Sequence, residues 1–288
     1  MTRPREQPAS AHHVAVGDIV VTTILDAYAP FDANAITGLP QDDVVRLHAA
    51  SRRTWPMRMT VNAFLLRAGE RLALVDTGLG PDADPAPGRL LDVLGALGVA
   101  PTDIDTVLLT HLHSDHGGGL LDAGGAPAFP NADLVVHEDE LAFWLREQPP
   151  GLPESVLIHV PWAARCRPYG DRIRATRGGP VLPGITLIPH PGHTPGHCGY
   201  LIESRGEQLL IWGDIVHQPH IQLARPEAGA LWDVDYAAAA ATRRTVLDAA
   251  ERQGLTVAGS HLDFPAVGHI ARSGVGYAFV PRVWSPIV

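Results

Sequence analysis

Cysteine is almost absent from this chain, whose 288 residues include only Cys166 and Cys198. Two thiols cannot form the disulfide framework of a small secreted domain, nor supply the ligands of a cysteine-rich structural zinc site. Cys198 directly follows His197, and we expect it to be a small buried hydrophobic residue rather than a redox group. The scarcity of cysteine therefore excludes disulfide scaffolds and zinc-ribbon folds.

Basic clusters and long apolar segments are also absent. The formal net charge is -9, and no run of lysine or arginine suggests a nucleic-acid groove. No apolar run approaches the ~20 residues of a transmembrane helix, and residues 1–13 lack the apolar core of a signal peptide. We therefore expect a cytoplasmic protein with neither nucleic-acid nor membrane partners.

The pattern of apolar residues predicts strands and helices in a repeated order. The hydrophobic fraction of 45% is sufficient for one sizeable core. The predicted strands are 18–26, 61–68, 72–76, 106–110, 134–137, 185–189, 199–203, 208–212 and 256–259. The predicted helices are 42–50, 88–97, 138–147 and 236–253. Strand pairs followed by helix and strand occur twice, which indicates two β-rich layers faced by helices. The proline- and glycine-rich residues 149–183 are predicted to be surface loop.

A dense cluster of metal-binding side chains follows the strand predicted at 106–110. Within six residues it places His111, His113, Asp115 and His116. Neutral imidazole and carboxylate suit zinc and similar divalent metals, and alternate residues of an extended segment point the same way. At this composition such a spacing arises by chance with a probability of about 0.004. The alternative is a histidine-rich surface loop.

Three later segments each place a further candidate ligand at the end of a predicted strand. They are HPGHTPGH at 190–197, WGD at 212–214 and GSH at 259–261, with His193, Asp214 and His261 as the candidates. One such residue alone would more often be structural. Together with the first cluster, they indicate one pocket with several metal ligands.

The order HxHxDH, H, D and H, with VDTG at 75–78 upstream, resembles the metallo-β-lactamase superfamily. The resemblance covers about 61–269 and implies an α/β four-layer αβ/βα sandwich. We expect a single domain over 1–288, with 1–60 as an N-terminal extension that covers the pocket. The resemblance implies one metal site of His111, His113 and His193. It implies a second site of Asp115, His116 and His261, with Asp214 bridging both and Asp76 supporting the metal loop.

Within the superfamily, WGDIVH at 212–217, WDVD at 232–235 and AGSHLDFPAVGHI at 258–270 resemble the methyl parathion hydrolase-like branch. Quorum-quenching lactonases share the seven ligands but carry a tyrosine three residues after the bridging aspartate. This chain has His217 there. The departure argues against a lactonase assignment, which stays open as an alternative.

The predicted activity is hydrolysis by two divalent ions, with zinc favoured and manganese, cobalt or iron as alternatives. Such ions lower the pKa of bound water, and a bridging hydroxide would attack an ester, lactone or phosphotriester. We predict catalytic roles for Asp115, as proton acceptor, and for His217, which would either contact the substrate or orient Asp214. The alternatives are thioester or β-lactam hydrolysis, iron-dependent oxidation, or a non-catalytic metal-binding protein.

The expected substrate is a small, partly apolar molecule, because large apolar residues fall where the pocket could be covered. These are Trp55, Met57, Met59, Phe64, Trp162 and Phe264, although core packing is the alternative for each. The sequence leaves a homodimer open, with residues 1–11 as a tail or a dimer arm. We expect His197 to be structural. Surface or packing roles are the default for His12, His13, His48, His137, His159, His220 and His269.

Overall fold

Two seven-stranded sheets form the centre of the computed structural model, which describes residues 10–84, 86–146 and 151–288. The strands of the first sheet are, in spatial order, β1 (Ala11–Val16), β2 (Ile19–Pro30), β4 (Arg58–Ala68), β5 (Arg71–Val75), β6 (Thr106–Leu108), β7 (Asp133–His137) and β8 (Ile173–Thr176). Those of the second sheet are β16 (Gly276–Pro281), β15 (Val267–Ser273), β14 (Thr256–Ala258), β12 (Glu207–Ile211), β11 (Cys198–Ser204), β10 (Ile185–Pro189) and β9 (Gly179–Leu182). A two-stranded ribbon pairs β3 (Ile36–Thr37) with β13 (Gly229–Ala230).

Eight α-helices accompany the sheets in the described ranges. They are α1 (Gln41–Ala50), α2 (Leu90–Ala96), α3 (Ser114–Gly117), α4 (Glu138–Trp144), α5 (Glu154–Leu157), α6 (Val160–Ala163), α7 (Pro219–Gln222) and α8 (Tyr236–Gln253). Asp235 caps the N-terminus of α8 through its side chain, and Gly254 ends that helix in the left-handed conformation. No helix among these has the length and apolar character needed to cross a bilayer.

Three apolar layers hold the sandwich together. Between the sheets, Phe64 and Val75 of the first sheet share a cluster with Tyr200 and Ile211 of the second. On the outer faces, α2 packs on the first sheet and α8 packs on the second. Each sheet therefore buries both of its faces, which explains why every residue of a strand such as β6 is buried. The predicted four-layer αβ/βα arrangement is confirmed.

Most predicted strands and helices are present, but the described part of the loop predicted at 149–183 is not a loop. Residues 151–183, the described part of that stretch, contain α5, α6, a 3-10 segment at Ala164–Arg172, and the edge strands β8 and β9. Pro153 caps α5, and Pro161 stands in the first turn of α6. Proline is compatible with these positions because the first helical N–H groups need no intrahelical partner. The prolines here begin helices rather than excluding them.

The prediction also missed strands at both ends of the described chain. β1 pairs with β2, and β15 forms a hairpin with β16 at the edge of the second sheet. Residues 10–60 are therefore partly built into the first sheet through β1 and β2. Residues 1–9, to which most of the predicted tail or dimer arm belongs, lie outside the described residues. Cys198 is fully buried between the sheets, as predicted.

Candidate metal centre

All seven predicted ligands converge at one edge of the sandwich, where four strands end. His111 and His113 follow β6, and α3 carries Asp115 and His116. His193 lies between β10 and β11, Asp214 follows β12, and His261 follows β14. Six of the seven are buried, whereas the side chain of Asp115 is 15% exposed. Strand ends from both sheets thus build the centre.

The possible ligand groups include the two sets that the resemblance assigns to separate metals. His111, His113 and His193 offer nitrogens within 4.8 Å of one another, and so do the ligand atoms of Asp115, His116 and His261. The Nδ1 atom of His113 lies 3.0 Å from Nε2 of His193. In the second group, Nε2 of His261 lies 3.4 Å from Oδ2 of Asp115. Each group therefore has three donor atoms around a common centre.

The carboxylate of Asp214 lies between the two groups. Its Oδ2 atom is 3.4 Å from Nε2 of His193 and 3.7 Å from Nε2 of His111. Its Oδ1 atom is 3.2 Å from Nε2 of His116, and Nε2 of His261 lies 3.1 Å from Oδ2. This position allows one carboxylate to contact both groups.

The donor set fits divalent metal ions. In a tetrahedral zinc site with bonds of about 2.0–2.1 Å, neighbouring donor atoms lie roughly 3.4 Å apart, and the separations above are of that size. Several of these atoms are buried without a hydrogen-bond partner, namely Nε2 of His111 and His116 and Oδ1 of Asp214. Buried polar atoms normally have partners, so the unpaired atoms indicate that cations complete the cluster.

Acceptors behind the imidazoles orient them with Nε2 toward the centre. Nδ1 of His116 lies 2.8 Å from Oδ2 of Asp76. Nδ1 of His193 lies 2.7 Å from Oδ1 of Asp233, and Nδ1 of His261 lies 2.7 Å from the carbonyl oxygen of Thr60. Carboxylate and carbonyl oxygens accept, so each Nδ1 carries a proton, and in the neutral imidazole each Nε2 then presents a lone pair. Such acceptors are typical behind metal-bound histidines.

Asp76 also supports the loop that follows β6. Its carboxylate accepts hydrogen bonds of 2.8 Å from the N–H and the hydroxyl of Thr110, the residue before His111. Asp76 itself has a φ of +61°, a left-handed conformation unusual outside glycine. The structure therefore places Asp76 in the supporting position that the resemblance implies.

Glu140, which the sequence analysis did not identify, joins two of the ligand loops. Its Oε2 atom accepts from the N–H of Leu112, between the ligands His111 and His113, at 3.0 Å. Its Oε1 atom accepts from the hydroxyl of Thr194, next to His193, and from the N–H of Gly196 at 3.1 Å. Burial raises the pKa of this fully buried carboxyl, which the hydrogen bonds oppose. Glu140 therefore holds the loops that carry one ligand group.

The electrostatic environment lowers the pKa of two histidines of the first group and raises that of His116 in the second. Burial lowers the pKa of His111 and of His113 well below the usual histidine range, which keeps their imidazoles neutral. Burial acts in the same direction on His116, but the carboxylates of Asp214, Asp115 and Asp76 raise its pKa above the usual value. Negative charge is thus concentrated on the side of Asp115, where a cation would be attracted most strongly.

His217 lies close to Asp214, as predicted. Its Nε2 atom is 3.2 Å from Oδ2 of Asp214, and neither ring nitrogen has a hydrogen-bond partner. The ring stacks on His261 with centroids 5.3 Å apart. His193, Asp214 and His217 also form a group of possible ligands, which the sequence analysis did not consider. His197 accepts from the N–H of Asp214 at 2.9 Å, in agreement with its expected structural role.

A cavity of about 240 Å³ opens beside the candidate ligands. Its apolar walls comprise Phe31, Met59, Val61, Leu79, Ile158 and Trp232. Of the six apolar residues predicted to cover the pocket, only Met59 is among the described lining residues. Met57 and Phe64 are core residues, and Trp55 packs against His48. The cavity is therefore walled by other apolar residues than those named, since core packing uses Met57 and Phe64 and Trp55 is 51% exposed.

His159 also lines this cavity, although the sequence gave it only a default surface or packing role. Its ring stacks on His113, with centroids 3.9 Å apart and planes 25° from parallel. Burial lowers the pKa of His159 to about 4. No spacing marks this residue in the sequence, since it lies in the segment predicted to be a loop.

A larger apolar groove, of about 510 Å³, lies between α8 and the second sheet. Among the described residues that line it, His190 is the one titratable side chain. A single imidazole offers no set of metal ligands. The smaller cavity, with its cluster of histidine and aspartate, is therefore the candidate site.

The fold and the cluster together define an αβ/βα protein with a site for divalent metal. The sequence profile of the Metallo-beta-lactamase superfamily matches residues 57–261, well over half of the chain. The chain therefore belongs to this superfamily, and the predicted family is confirmed.

Several curated relatives are N-acyl homoserine lactonases. The enzyme of Bacillus thuringiensis is 28% identical over 175 residues, which are 54% of this chain and 63% of that protein. The lactonase AiiB of Agrobacterium fabrum is 30% identical over 164 residues, or 49% of this chain and 57% of that protein. The matches thus span somewhat less than two thirds of these relatives.

Solved structures resemble this chain over almost its whole length. The hydrolase AbOPH of the beta lactamase superfamily is 32% identical with a TM-score of 0.91, and the match covers 97% of this chain and 100% of that one. AidC, a dizinc quorum-quenching lactonase in complex with its product N-hexanoyl-L-homoserine, has a TM-score of 0.90. That match covers 96% of this chain and 99% of AidC, and at 24% identity it supports the fold alone.

Proposed function

We propose that this protein is a dinuclear metal-dependent hydrolase of small, partly apolar lactones and esters. The observation that carries the proposal is the convergence of seven ligands, with unpaired buried nitrogen and oxygen atoms, beside an apolar cavity. The lactonases among its relatives favour a lactone with an acyl chain as the substrate. Activity on the lactone should be compared with activity on aryl esters and phosphotriesters, because one fold and one kind of site can support several hydrolytic reactions.

In the proposed assignment, His111, His113 and His193 would hold one ion. Asp115, His116 and His261 would hold the other, and Asp214 would be a ligand of both. When bound, two divalent ions, with zinc favoured, would lower the pKa of a shared water and polarise the substrate oxygen. Two carboxylates against two dications leave the centre net positive, which favours the negative charge that develops during acyl transfer. The chain shows no GxSxG motif for a serine nucleophile.

The remaining residues bind substrate and handle protons. Asp115 is the one proposed ligand whose side chain keeps appreciable exposure, and it lines the cavity. We assign to its carboxylate the acceptance of the proton released by the attacking water. Phe31, Met59, Ile158 and Trp232 would contact the acyl or aryl part of the substrate and exclude water from the reaction.

Metal removal provides the test of this function. The purified protein is expected to contain about two zinc-like ions per chain and to hydrolyse an N-acyl homoserine lactone. Dialysis against a chelator should abolish the activity, and added zinc, cobalt or manganese should restore it. The measurement combines elemental analysis with assays on the lactone, on p-nitrophenyl esters and on a phosphotriester. A single iron per chain, or two ions without hydrolysis of any substrate, would overturn the proposal.

Replacing His217 by alanine tests the two roles predicted for this residue. We expect both ions to remain, because Asp214 and the three other ligands of each proposed site are intact. The value of kcat/KM should fall by about 10- to 100-fold, the usual effect of removing a partner of a ligand. Elemental analysis and steady-state kinetics on the lactone measure both quantities. Loss of one ion would instead make His217 a ligand, and unchanged kinetics on every substrate would exclude a catalytic role.

A further inference from the structure

A buried histidine on the cavity wall has one ring nitrogen without a partner. His159 retains 6% of its exposure, and it lines the cavity together with Ser114, Asp115 and Ile158. Its Nδ1 atom accepts a hydrogen bond of 3.2 Å from the N–H of Ser114. Its Nε2 atom is buried and has no hydrogen-bond partner. His159 is not one of the seven proposed ligands.

The contact with Ser114 fixes which nitrogen of His159 carries the proton. A backbone N–H can only donate, so Nδ1 must present its lone pair and Nε2 must carry the hydrogen. The stack on His113 then holds the ring in one plane. A buried donor without an acceptor is unfavourable, and such groups in native proteins usually have a functional explanation. The acceptor that is missing here is one that a bound molecule would supply.

We propose that His159 is a catalytic residue that donates a hydrogen bond from Nε2 to the carbonyl oxygen of the lactone or ester bond that is cleaved. This inference rests on the proposed hydrolase function. The oxygen gains negative charge as the acyl carbon is attacked, so a fixed donor in a site shielded from water stabilises the transition state more than the ground state. Asp115 and Ser114, the neighbours of His159 in the cavity wall, place this donor beside the proposed metal site.

Three substitutions separate this role from packing. His159→Phe keeps an aromatic ring for the stack on His113 but has no donor. His159→Asn retains an acceptor near the position of Nδ1, for the Ser114 contact, and lacks a group at Nε2. His159→Gln places an amide N–H near the position of Nε2. The Phe and Asn variants should lower kcat/KM on the lactone by about 100-fold, as does removal of an oxyanion-hole donor, and the Gln variant should retain activity to within about 10-fold.

Zinc content should stay near two ions per chain in all three variants. If His159 only supported the ligand His113, its replacement would lower the zinc content instead. His48→Phe is the matched control, because His48 is also buried but lies against Trp55 and His220, away from the cavity. We expect it to have wild-type kinetics. If the Phe and Asn variants hydrolyse the lactone within about twofold of the wild type, or if only the zinc content falls, the inference is wrong.

Product binding tests His159 independently of turnover. The zinc-loaded wild type is expected to bind N-hexanoyl-L-homoserine in a calorimetric titration, and His159→Phe should bind it about 10-fold more weakly. A wild type that hydrolyses no substrate but shows this difference would overturn the proposed function and retain the role of His159. Equal affinities, including no binding by either protein, would overturn the role of His159. If the wild type and His159→Phe hydrolyse the lactone at the same rate, the role of His159 is likewise overturned.

Discussion

Replacing Asp214 by alanine is expected to lower the metal content below one ion per chain and to reduce kcat/KM by more than about 100-fold. The reason is its position, because its two oxygens lie 3.1 to 3.7 Å from nitrogens of both ligand groups. Loss of even an outer partner of a ligand costs about 10- to 100-fold, and alanine here removes a donor from both groups at once. Elemental analysis and lactone hydrolysis provide the measurements.

The control for this variant is Asp92→Ala, which removes a carboxylate from the exposed side of α2 and should alter neither quantity. Asp214→Asn adds a second comparison, since it preserves the shape of the side chain and removes its charge. Circular dichroism would verify that each variant is folded. Two ions and full activity in Asp214→Ala would contradict the proposed centre.

The ligands could be predicted from the sequence because each is marked locally. His111 and His113 alternate directly after an apolar strand, and Asp214 and His261 each close another. The local pattern also predicts which strand ends they occupy, and strand ends of a layered fold lie at common edges. The resemblance then groups the ligands into two sets, and the structure brings the members of each set together.

Partners that are distant in sequence could not be predicted in this way. Glu140 is 28 residues from Leu112 and 54 residues from Thr194, and an acidic residue at a helix start is ordinarily a surface residue. His159 is 45 residues from Ser114 and lies in a segment whose prolines suggested a loop. Burial and pairing across the sandwich give these side chains their roles, and neither property is visible in their immediate neighbours.

Several of these distant partners connect the two halves of the chain. Thr60, from the first half, contacts His261 in the second through its carbonyl oxygen. Glu140, from the first half, accepts from the hydroxyl of Thr194 in the second. The geometry of the centre therefore depends on the packing of the two sheets, and a change that loosens one loop should alter metal affinity before it unfolds the protein.

Glu140 provides the sharpest test of that dependence. Its carboxylate accepts from the N–H groups of Leu112 and Gly196, from the hydroxyl of Thr194, and from the indole of Trp144 at 2.7 Å. Glu140→Gln keeps the shape but replaces one accepting oxygen by an NH₂ group, which faces donors. We expect the free energy of unfolding to fall by about 2–4 kcal/mol, given roughly 1.5–3 kcal/mol for a hydrogen bond to a charged group.

The same substitution should weaken zinc binding by about 10- to 100-fold, because the loops that carry His113 and His193 lose their common acceptor. Chelator competition measures zinc affinity, chemical denaturation measures stability, and the absorption spectrum of the cobalt-loaded protein reports ligand geometry. Asp139→Asn, on the adjacent position of α4 with an exposed side chain, is the matched control and should change none of these. A loss of stability with wild-type zinc affinity and an unaltered cobalt spectrum would show that Glu140 stabilises the fold without positioning the ligands. A shift in affinity and spectrum under conditions in which the variant remains folded would establish it as a positioning residue for the metal centre.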